Sequence, residues 1–449
     1  MKRVRVGNGC GFWGDNLDAP VRLAAGGRLD YLTLEYLAEL TMSILALLRQ
    51  RDPTAGYATD FLDVLDRLAP HLTAHPGLRI VTNAGGMNPR ACGEKAAAVL
   101  AKHGLARRVG VVSGDDLMPR LDGLIAAGHA LQHLDTGEPI STVRDRLVSA
   151  NAYLGSRPVA DALGKGAEVV VTGRVADACL TLGPLLHEFG WADDAWDLLA
   201  AGSTAGHLIE CGAQATGGLW MNADETTRLG EVGYPVAEVA ADGGFTVSKP
   251  PGTGGAVNLE TVAEQLLYEV GDPARYLTPD VTADFTAPAF RQTGPDVVGV
   301  SGCRGTPATG YYKVSCAYRS GFAASGTLVL VGPGAARKAR LSGDVLLEKL
   351  RQAGVVPEHT LVEVLGAGDV LPEVLPRADP PEVVLRVAVR DARKQVVERF
   401  GKEFAPLVTS GFAGTGGYTT GRPQVREVFA YWPALIAKSA VTPVVEVLT

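Results

Sequence analysis

Residues 78–103 read LRIVTNAGGMNPRACGEKAAAVLAKH. A short β-branched run passes through Asn83, Gly85 and Gly86 into a segment with helical periodicity. Asn88 followed by Pro89 suits a helix start. An Asn side chain can cap the first free N–H groups, and proline lacks the N–H that would go unbonded at the first helical position. Similar units recur on both sides. Strands are expected at 3–7, 31–35, 78–83, 108–113, 148–154 and 168–172, and helices at 37–48, 61–68, 94–103 and 174–189. Such alternation predicts an α/β fold, with a mainly parallel sheet covered by helices on both faces, or a barrel. In either architecture ligands gather at the carboxyl ends of the strands. Those ends carry GNGCGFWGD, Glu35, NAGGMNPR, SGDD and TGRVADA. Five polar or glycine-rich loops on one edge predict the rim of a pocket.

Past about residue 220 glycine, proline and β-branched residues dominate, with turn signals such as DGG, KPPGTGG and SGCRGTP. Strands or a hairpin are then expected at 311–331, a helix at 336–353, strands at 360–365 and 382–389, a helix at 391–406 and a strand at 427–432. That order is the split βαβ pattern. The expected division is therefore an α/β domain, 1–225, carrying most of the site, and a glycine-rich crossover with a smaller α+β domain, 226–449.

Composition narrows the function classes. With 449 residues, about two domains are expected. Hydrophobic content of 46% and charged content of 20% are those of a globular protein. A net charge of −7 gives no basic footprint for nucleic acid. No apolar run approaches the roughly 18–20 residues that span a bilayer, and the N-terminus lacks the apolar core of a signal peptide. Six cysteines are scattered singly, which predicts neither a disulfide framework nor a structural zinc site. A cytoplasmic protein without nucleic-acid or membrane partners is expected.

Chemistry concentrates in residues 205–218, AGHLIECGAQATGG. On a helix His207 shares a face with Glu210 and with Cys211. An imidazole beside a thiol can favour thiolate, and Glu210 could orient the imidazole or act as general base. The structural alternative is a small core cysteine. Arg174 and Asp177 in TGRVADA read either as recognition of a carboxylate or phosphate or as an intrahelical pair. Gly85 and Gly86, with Asn83 and Asn88, could present amides to an anion or make a plain turn. Lys249, beside PPGTGG, could neutralise an anionic substrate or lie on a solvated loop. GCGFWG, 9–14, formally matches a dinucleotide fingerprint with Glu35 at the ribose position. Phe12 and Trp13 are bulky for a pyrophosphate, however, and the next helix is short, ending at 26–27. The other reading is an aromatic loop ending in Asp15 that faces an acyl or isoprenoid chain, or a core-packing tryptophan. Asp15, Glu35 and Asp177 leave a divalent metal open.

The motifs VGNGCGFWGDNLDAPVRLA, DYLTLEYLAELTMSILA, VTNAGGMNPRACG, VVSGDD, VVVTGRVADACLTLGPLLHEFGW, AGHLIECGAQATGG and EQLLYEVGDPARYLTPDV, in that order, resemble the acyclic terpene utilisation AtuA family over residues 3–440. The resemblance implies bacterial breakdown of citronellol and geraniol and enzymes that handle branched acyl-CoA thioesters or their acids. Longer members carry an additional C-terminal domain, and a separate small subunit in its place is left open. It sets no catalytic role for any residue. The expectation is a hydratase or lyase in which His207, Glu210, Cys211 and Asp177 form the catalytic group. Asp15, Asn83, Gly85, Gly86, Asn88, Arg174 and Lys249 would bind the substrate near the seam between domains. The alternatives are acyl or sulfur transfer through a Cys211 thioester and a non-catalytic acyl-CoA-binding subunit of a carboxylase pathway. No cofactor is expected beyond coenzyme A as part of the substrate, and the partners are the small acyl substrate and further copies of this chain.

Overall fold

Strands covered on both faces need apolar side chains at nearly every position, and the short β-branched runs supply them. In the computed structural model, which describes residues 2–26 and 28–448, the first six strands lie close to their expected places. They are β1 (Arg3–Asn8), β2 (Tyr31–Leu34), β3 (Arg79–Thr82), β4 (Val109–Ser113), β5 (Leu147–Ala152) and β6 (Val169–Thr172). β1, β2, β3, β6 and β4 are neighbours in that order and all run parallel. β5 departs from expectation by pairing outside this sheet.

The connecting helices are α1 (Ala19–Gly26), α2 (Glu39–Arg51), α3 (Asp60–Ala74), α4 (Pro89–Lys102), α5 (Leu121–Ala126), α6 (Arg157–Gly164), α7 (Cys179–Phe189) and α8 (Trp196–Glu210). Gly27, at the expected end of the first helix, lies outside the described residues. α1, α3 and α4 pack together, as do α6, α7 and α8, and both α4 and α6 rest on β4 and β6. The strands are thus covered from both sides. Leu65 and Leu68 of α3 and Ala96 and Leu100 of α4 share one core with Leu34, Ile80 and Val171 of the strands. Each large side chain so buried contributes roughly 1.5–3 kcal/mol.

The sheet is mixed rather than mainly parallel. β7 (Val236–Ala240) joins β1 antiparallel, and β8 (Phe245–Ser248) joins β7. The short turn between them allows only an antiparallel partner. After α9 (Leu259–Leu267), β9 (Tyr276–Leu277), β10 (Val281–Asp284) and β13 (Arg304–Pro307) form a separate three-stranded sheet, while β11 (Ala289–Gly294) and β12 (Val297–Ser301) extend the large one. β14 (Tyr311–Val331) pairs at its start with β5. It leads into α10 (Ala335–Gln352), β15 (His359–Leu365), β16 (Glu382–Asp391), α11 (Lys394–Phe404), α12 (Leu407–Ser410), β17 (Thr415–Tyr418), β18 (Arg426–Ala437) and β19 (Val444–Leu448). β19 closes the far edge of the large sheet against β4, which brings it to ten strands.

Two compact units result, one of residues up to Ala317 plus those from Tyr431 on, the other Tyr318–Ala430. The sequence reading divides the chain at 225/226 instead, yet β7, β8, β11, β12 and β19 all belong to the large sheet. In the second unit the strands lie in the order β15-β16-β14-β17, all antiparallel. β16 alternates buried and half-exposed positions, and its buried set packs with Leu346, Leu350, Phe400 and Phe404 of the two helices. Among the described residues no helix is long and apolar enough to cross a membrane.

Candidate active site

Parallel strands end on one edge, so the loops after β1, β2, β3, β4 and β6 meet there. All the residues described below belong to the first unit.

The loop after β6 decides much of the geometry. The expected helix at 174–189 begins only at Cys179, because the chain is first held extended. The Arg174 amide donates to Asp115 (2.9 Å), and Leu154 and Ala176 bond across to form a short bridge. Arg174 and Asp177 are therefore not an intrahelical pair. The Arg174 guanidinium is almost fully buried, with Nη2 2.8 Å from Asp177 and Nη1 donating to the Leu37 carbonyl (3.2 Å). Nη1 also lies 3.9 Å from Glu35, and the Tyr153 ring covers the face at 4.1 Å. Nε has no partner.

Glu35 follows β2. Its Oε1 accepts from the Leu37 amide (3.0 Å) and from Asn83, whose own Oδ1 accepts from the Tyr36 amide (2.8 Å). Oε2 is buried without a partner. Burial, helped by the charge of Asp177, raises Glu35 well above the usual carboxylate range against the pull of Arg174. Burial likewise pushes Asp115 up to about 6. Glu39 goes the other way. Burial opposes its ionisation, but the Tyr153 hydroxyl (2.7 Å), Lys313 and Arg174 outweigh it and hold the carboxyl at about 2.

The C-terminal turn of α8 forms the other part of the site. His207 and Glu210 do share a helix face, as expected, with Nδ1 and Oε1 2.8 Å apart. His207 Nε2 lies 3.1 Å from the Leu266 carbonyl. A carbonyl can only accept, so Nε2 carries a proton. The ring is flanked by Tyr276 and Phe285, each centred 5.1 Å away, and Gln265 donates to the His207 carbonyl (3.0 Å). The side-chain amide of Asn8, at the end of β1, donates to the carbonyls of Ile209 (2.7 Å) and Glu210 (2.9 Å) and so ties the turn to the sheet. Gly11 is required nearby, since a Cβ there would lie 2.8 Å from the Cys211 carbonyl carbon.

The dyad holds one proton in its Nδ1–Oε1 contact. Burial disfavours the charged imidazole, but Glu210 outweighs it and raises His207 above its ordinary value. Burial raises Glu210 too, against the pull of His207, and Asp177 raises it further. Oε2 of Glu210 has no partner. The Cys211 thiol gains nothing from the imidazole, whose two nitrogens are engaged elsewhere. Burial, with Glu210 beside it, pushes the thiol up to about 12.

Of the residues singled out from sequence, Asn83, Arg174, Asp177, His207, Glu210 and Cys211 gather at this edge. Asp177 connects the two parts. It is paired with Arg174, and its charge adds to the upward shift of His207, Glu210 and Cys211. Asp15 instead closes its own loop, accepting from the Gly11 amide (2.8 Å) and the Tyr234 hydroxyl (2.5 Å). That loop's helix, α1, starts only at Ala19, so the glycines do not open a helix as a dinucleotide fingerprint requires. Phe12 is exposed, and Trp13 packs on Leu37, Met42 and Leu45.

Asn88 caps α4 and reaches back to the carbonyls of Pro53 and Ala55. The amides of Gly86, Met87 and Asn88 are bonded within the protein. Gly85 is a close approach, because a Cβ would lie 2.5 Å from the Thr172 carbonyl oxygen. Lys249 is held by Asp296 (2.9 Å) and the Thr253 carbonyl (2.8 Å) in the turn after β8.

Sequence reasoning did not find Asn8, Glu39, Asp115, Tyr153, Tyr276 or Lys313. Asp115 lay in a quoted loop, SGDD, but which of its acids turns inward depends on the Arg174 amide. Lys313 and Tyr276 come from the far end of the unit and have no local spacing signal. Among the described residues no group of three or more His, Cys, Asp or Glu side chains is arranged to hold a metal ion.

No curated protein and no solved structure matches the chain. A family model does, over residues 4–447, described as "Acyclic terpene utilisation family protein AtuA". A polar, acid-rich edge on a mixed α/β sheet is thus the candidate site of a chain that belongs to the acyclic terpene utilisation AtuA family.

Proposed function

We propose that the chain is an enzyme acting on a branched or terpenoid acyl-CoA thioester, or the corresponding carboxylic acid, by proton transfer of the hydratase or lyase type. The observation that carries the reading is the His207–Glu210 dyad. It holds a single proton between Nδ1 and Oε1, and the other Glu210 oxygen is unpartnered. Glu210 Oε2 takes a proton from the carbon α or β to the carbonyl, the C–H electron pair forms the carbon–carbon double bond as hydroxide leaves the neighbouring carbon, and the proton passes to that hydroxide to give water; addition of water runs the same steps in reverse. His207 makes no contact with substrate. It is a positioning residue that shifts its proton along the Nδ1–Oε1 contact as the charge on Glu210 changes. A buried carboxyl with a raised pKa suits this work, because a general acid–base group is most effective when its pKa lies near the working pH.

Acyl transfer through Cys211 is less well supported. A thiol pushed up to about 12 is almost wholly protonated at neutral pH, and thiolate is the nucleophile. The test is turnover of a branched acyl-CoA series by wild type, Glu210→Gln and Cys211→Ser. General acid–base groups are worth roughly 10²–10⁴-fold. Glu210→Gln should lose that much in kcat, and Cys211→Ser should keep turnover. Full activity in Glu210→Gln would refute the reading, and a covalent acyl adduct on Cys211 in intact mass would favour transfer.

A further inference from the structure

We infer that the chain carries a second binding site, for a phosphate group, at the amino edge of the parallel strands. It lies at the opposite strand ends from Arg174 and Glu210 and does not depend on the acid–base reading.

A cavity of about 150 Å³ opens where β1, β2 and β3 begin. A water takes up about 30 Å³ in the liquid, so a phosphate group has room there. The lining includes Lys2, Arg3, Asp30, Tyr31, Arg79 and Glu188.

Arg79 is the residue that points to the ligand. It is the register partner of Tyr31 across β2 and β3. Its Nη1 donates to the hydroxyl of the buried Tyr31 (2.8 Å) and to Glu188 Oε1 (3.3 Å). All its hydrogen bonds within the protein go through that nitrogen. Nε and Nη2, side by side on the guanidinium, are left unpaired. Two parallel N–H groups at that spacing match two oxygens of a phosphate. The contacts of Nη1 hold the fork in place beforehand, which lowers the ordering cost of binding.

Charge points the same way, although the chain as a whole carries −7. Glu188 is shared by two cations, with Oε2 2.8 Å from Lys2 Nζ and Oε1 facing Arg79. Glu238 is likewise shared by Arg3 (3.3 Å) and Arg5. Asp30 accepts the Arg5 amide (2.8 Å). Lys2, Arg3, Arg5 and Arg79 thus stand against Asp30, Glu188 and Glu238, and the surplus cation favours an incoming anion. His187 beside them feels that field. Burial, and after it the Arg79 and Lys2 charges, hold its imidazole below the ordinary value against the pull of Glu188.

Calorimetry at neutral pH, with ionic strength fixed by chloride, tests this with inorganic phosphate and glycerol phosphate as probes. Wild type should bind at least one of them with a Kd of about 1 mM or below. Arg79→Gln removes the fork and should weaken binding by about tenfold or more. Arg79→Lys keeps the charge without the fork and should also bind more weakly than wild type. Arg3→Gln leaves the Tyr31–Arg79–Glu188 contacts intact and should weaken binding through the lost charge alone. No binding of either probe to wild type up to about 10 mM would overturn the inference. Binding unchanged in Arg79→Gln would overturn it as well. Where binding is lost with Arg79, tighter binding of glycerol phosphate assigns the site to a phosphate monoester, and tighter binding of inorganic phosphate assigns it to the free ion.

Discussion

Glu210→Gln should change how folding stability depends on pH, and the size of the change follows from counting protons. The Leu266 carbonyl fixes one proton on His207 Nε2, so the Nδ1–Oε1 contact of 2.8 Å must contain a second. Folded wild type keeps that proton. In the unfolded chain an ordinary glutamate is ionised above about 4.3, and an ordinary imidazole loses its proton above about 6.5. Between those values folded and unfolded states hold the same number, and the dyad's contribution is flat. Above about 6.5 the unfolded state holds fewer, so stability falls as pH rises, by about 1.4 kcal/mol per pH unit for one proton. The fall continues up to the folded dyad's own pKa, which lies above the ordinary imidazole value.

In Glu210→Gln the amide can donate to a neutral Nδ1, which preserves the contact without the extra proton. That variant gains stability up to about 6.5, as the unfolded imidazole discharges, and is flat beyond. The difference between the two proteins should therefore narrow by about 1.4 kcal/mol per unit as pH rises. Urea unfolding at successive pH values measures it. Glu35 and Asp115, which burial also raises, are common to both proteins and cancel in the difference. Parallel stability curves would show that the dyad does not hold the proton.

Two further outcomes follow from the packing of the same edge. Gly85→Ala should lower the urea midpoint by the equivalent of roughly 1–3 kcal/mol, because the added Cβ meets backbone of both β6 and α4. An unchanged midpoint would mean the turn is not pinned there. Tyr153→Phe keeps the ring over Arg174 but removes the hydroxyl donor to Glu39. The Glu39 carboxyl, held at about 2, should then rise towards the usual range in an NMR titration. A carboxyl that stays put would assign its depression to Lys313 and Arg174 alone.

Local chemistry made much of this molecule legible before any fold was known. The β-branched runs predict β1 to β6 because period and burial go together over four to six residues. The Asn88–Pro89 pair predicts the start of α4 because capping involves atoms within one turn. The shared face of His207 and Glu210 was readable for the same reason, since residues three apart on a helix must meet. The 174–189 helix shows where local reasoning stops. The hydrophobic pattern extends back to Arg174, but the Asp115 carboxylate takes its amide and Leu154 bridges Val175, so the helix waits until Cys179.

The sequence by itself determined which strand ends carry polar loops and that the imidazole and carboxylate of α8 share a face. Only the tertiary structure decided their roles. Arg174 was readable as an anion clasp, but Glu35 and Leu37, Tyr153 and Asp177, drawn from three different segments, surround it. His207 was readable as a partner for Cys211, but Leu266 and Glu210 take both its nitrogens. The physical reason is that a hydrogen-bonding group has few bonds to give. Which partners take them depends on distances across the fold, and spacing along the chain does not record those distances.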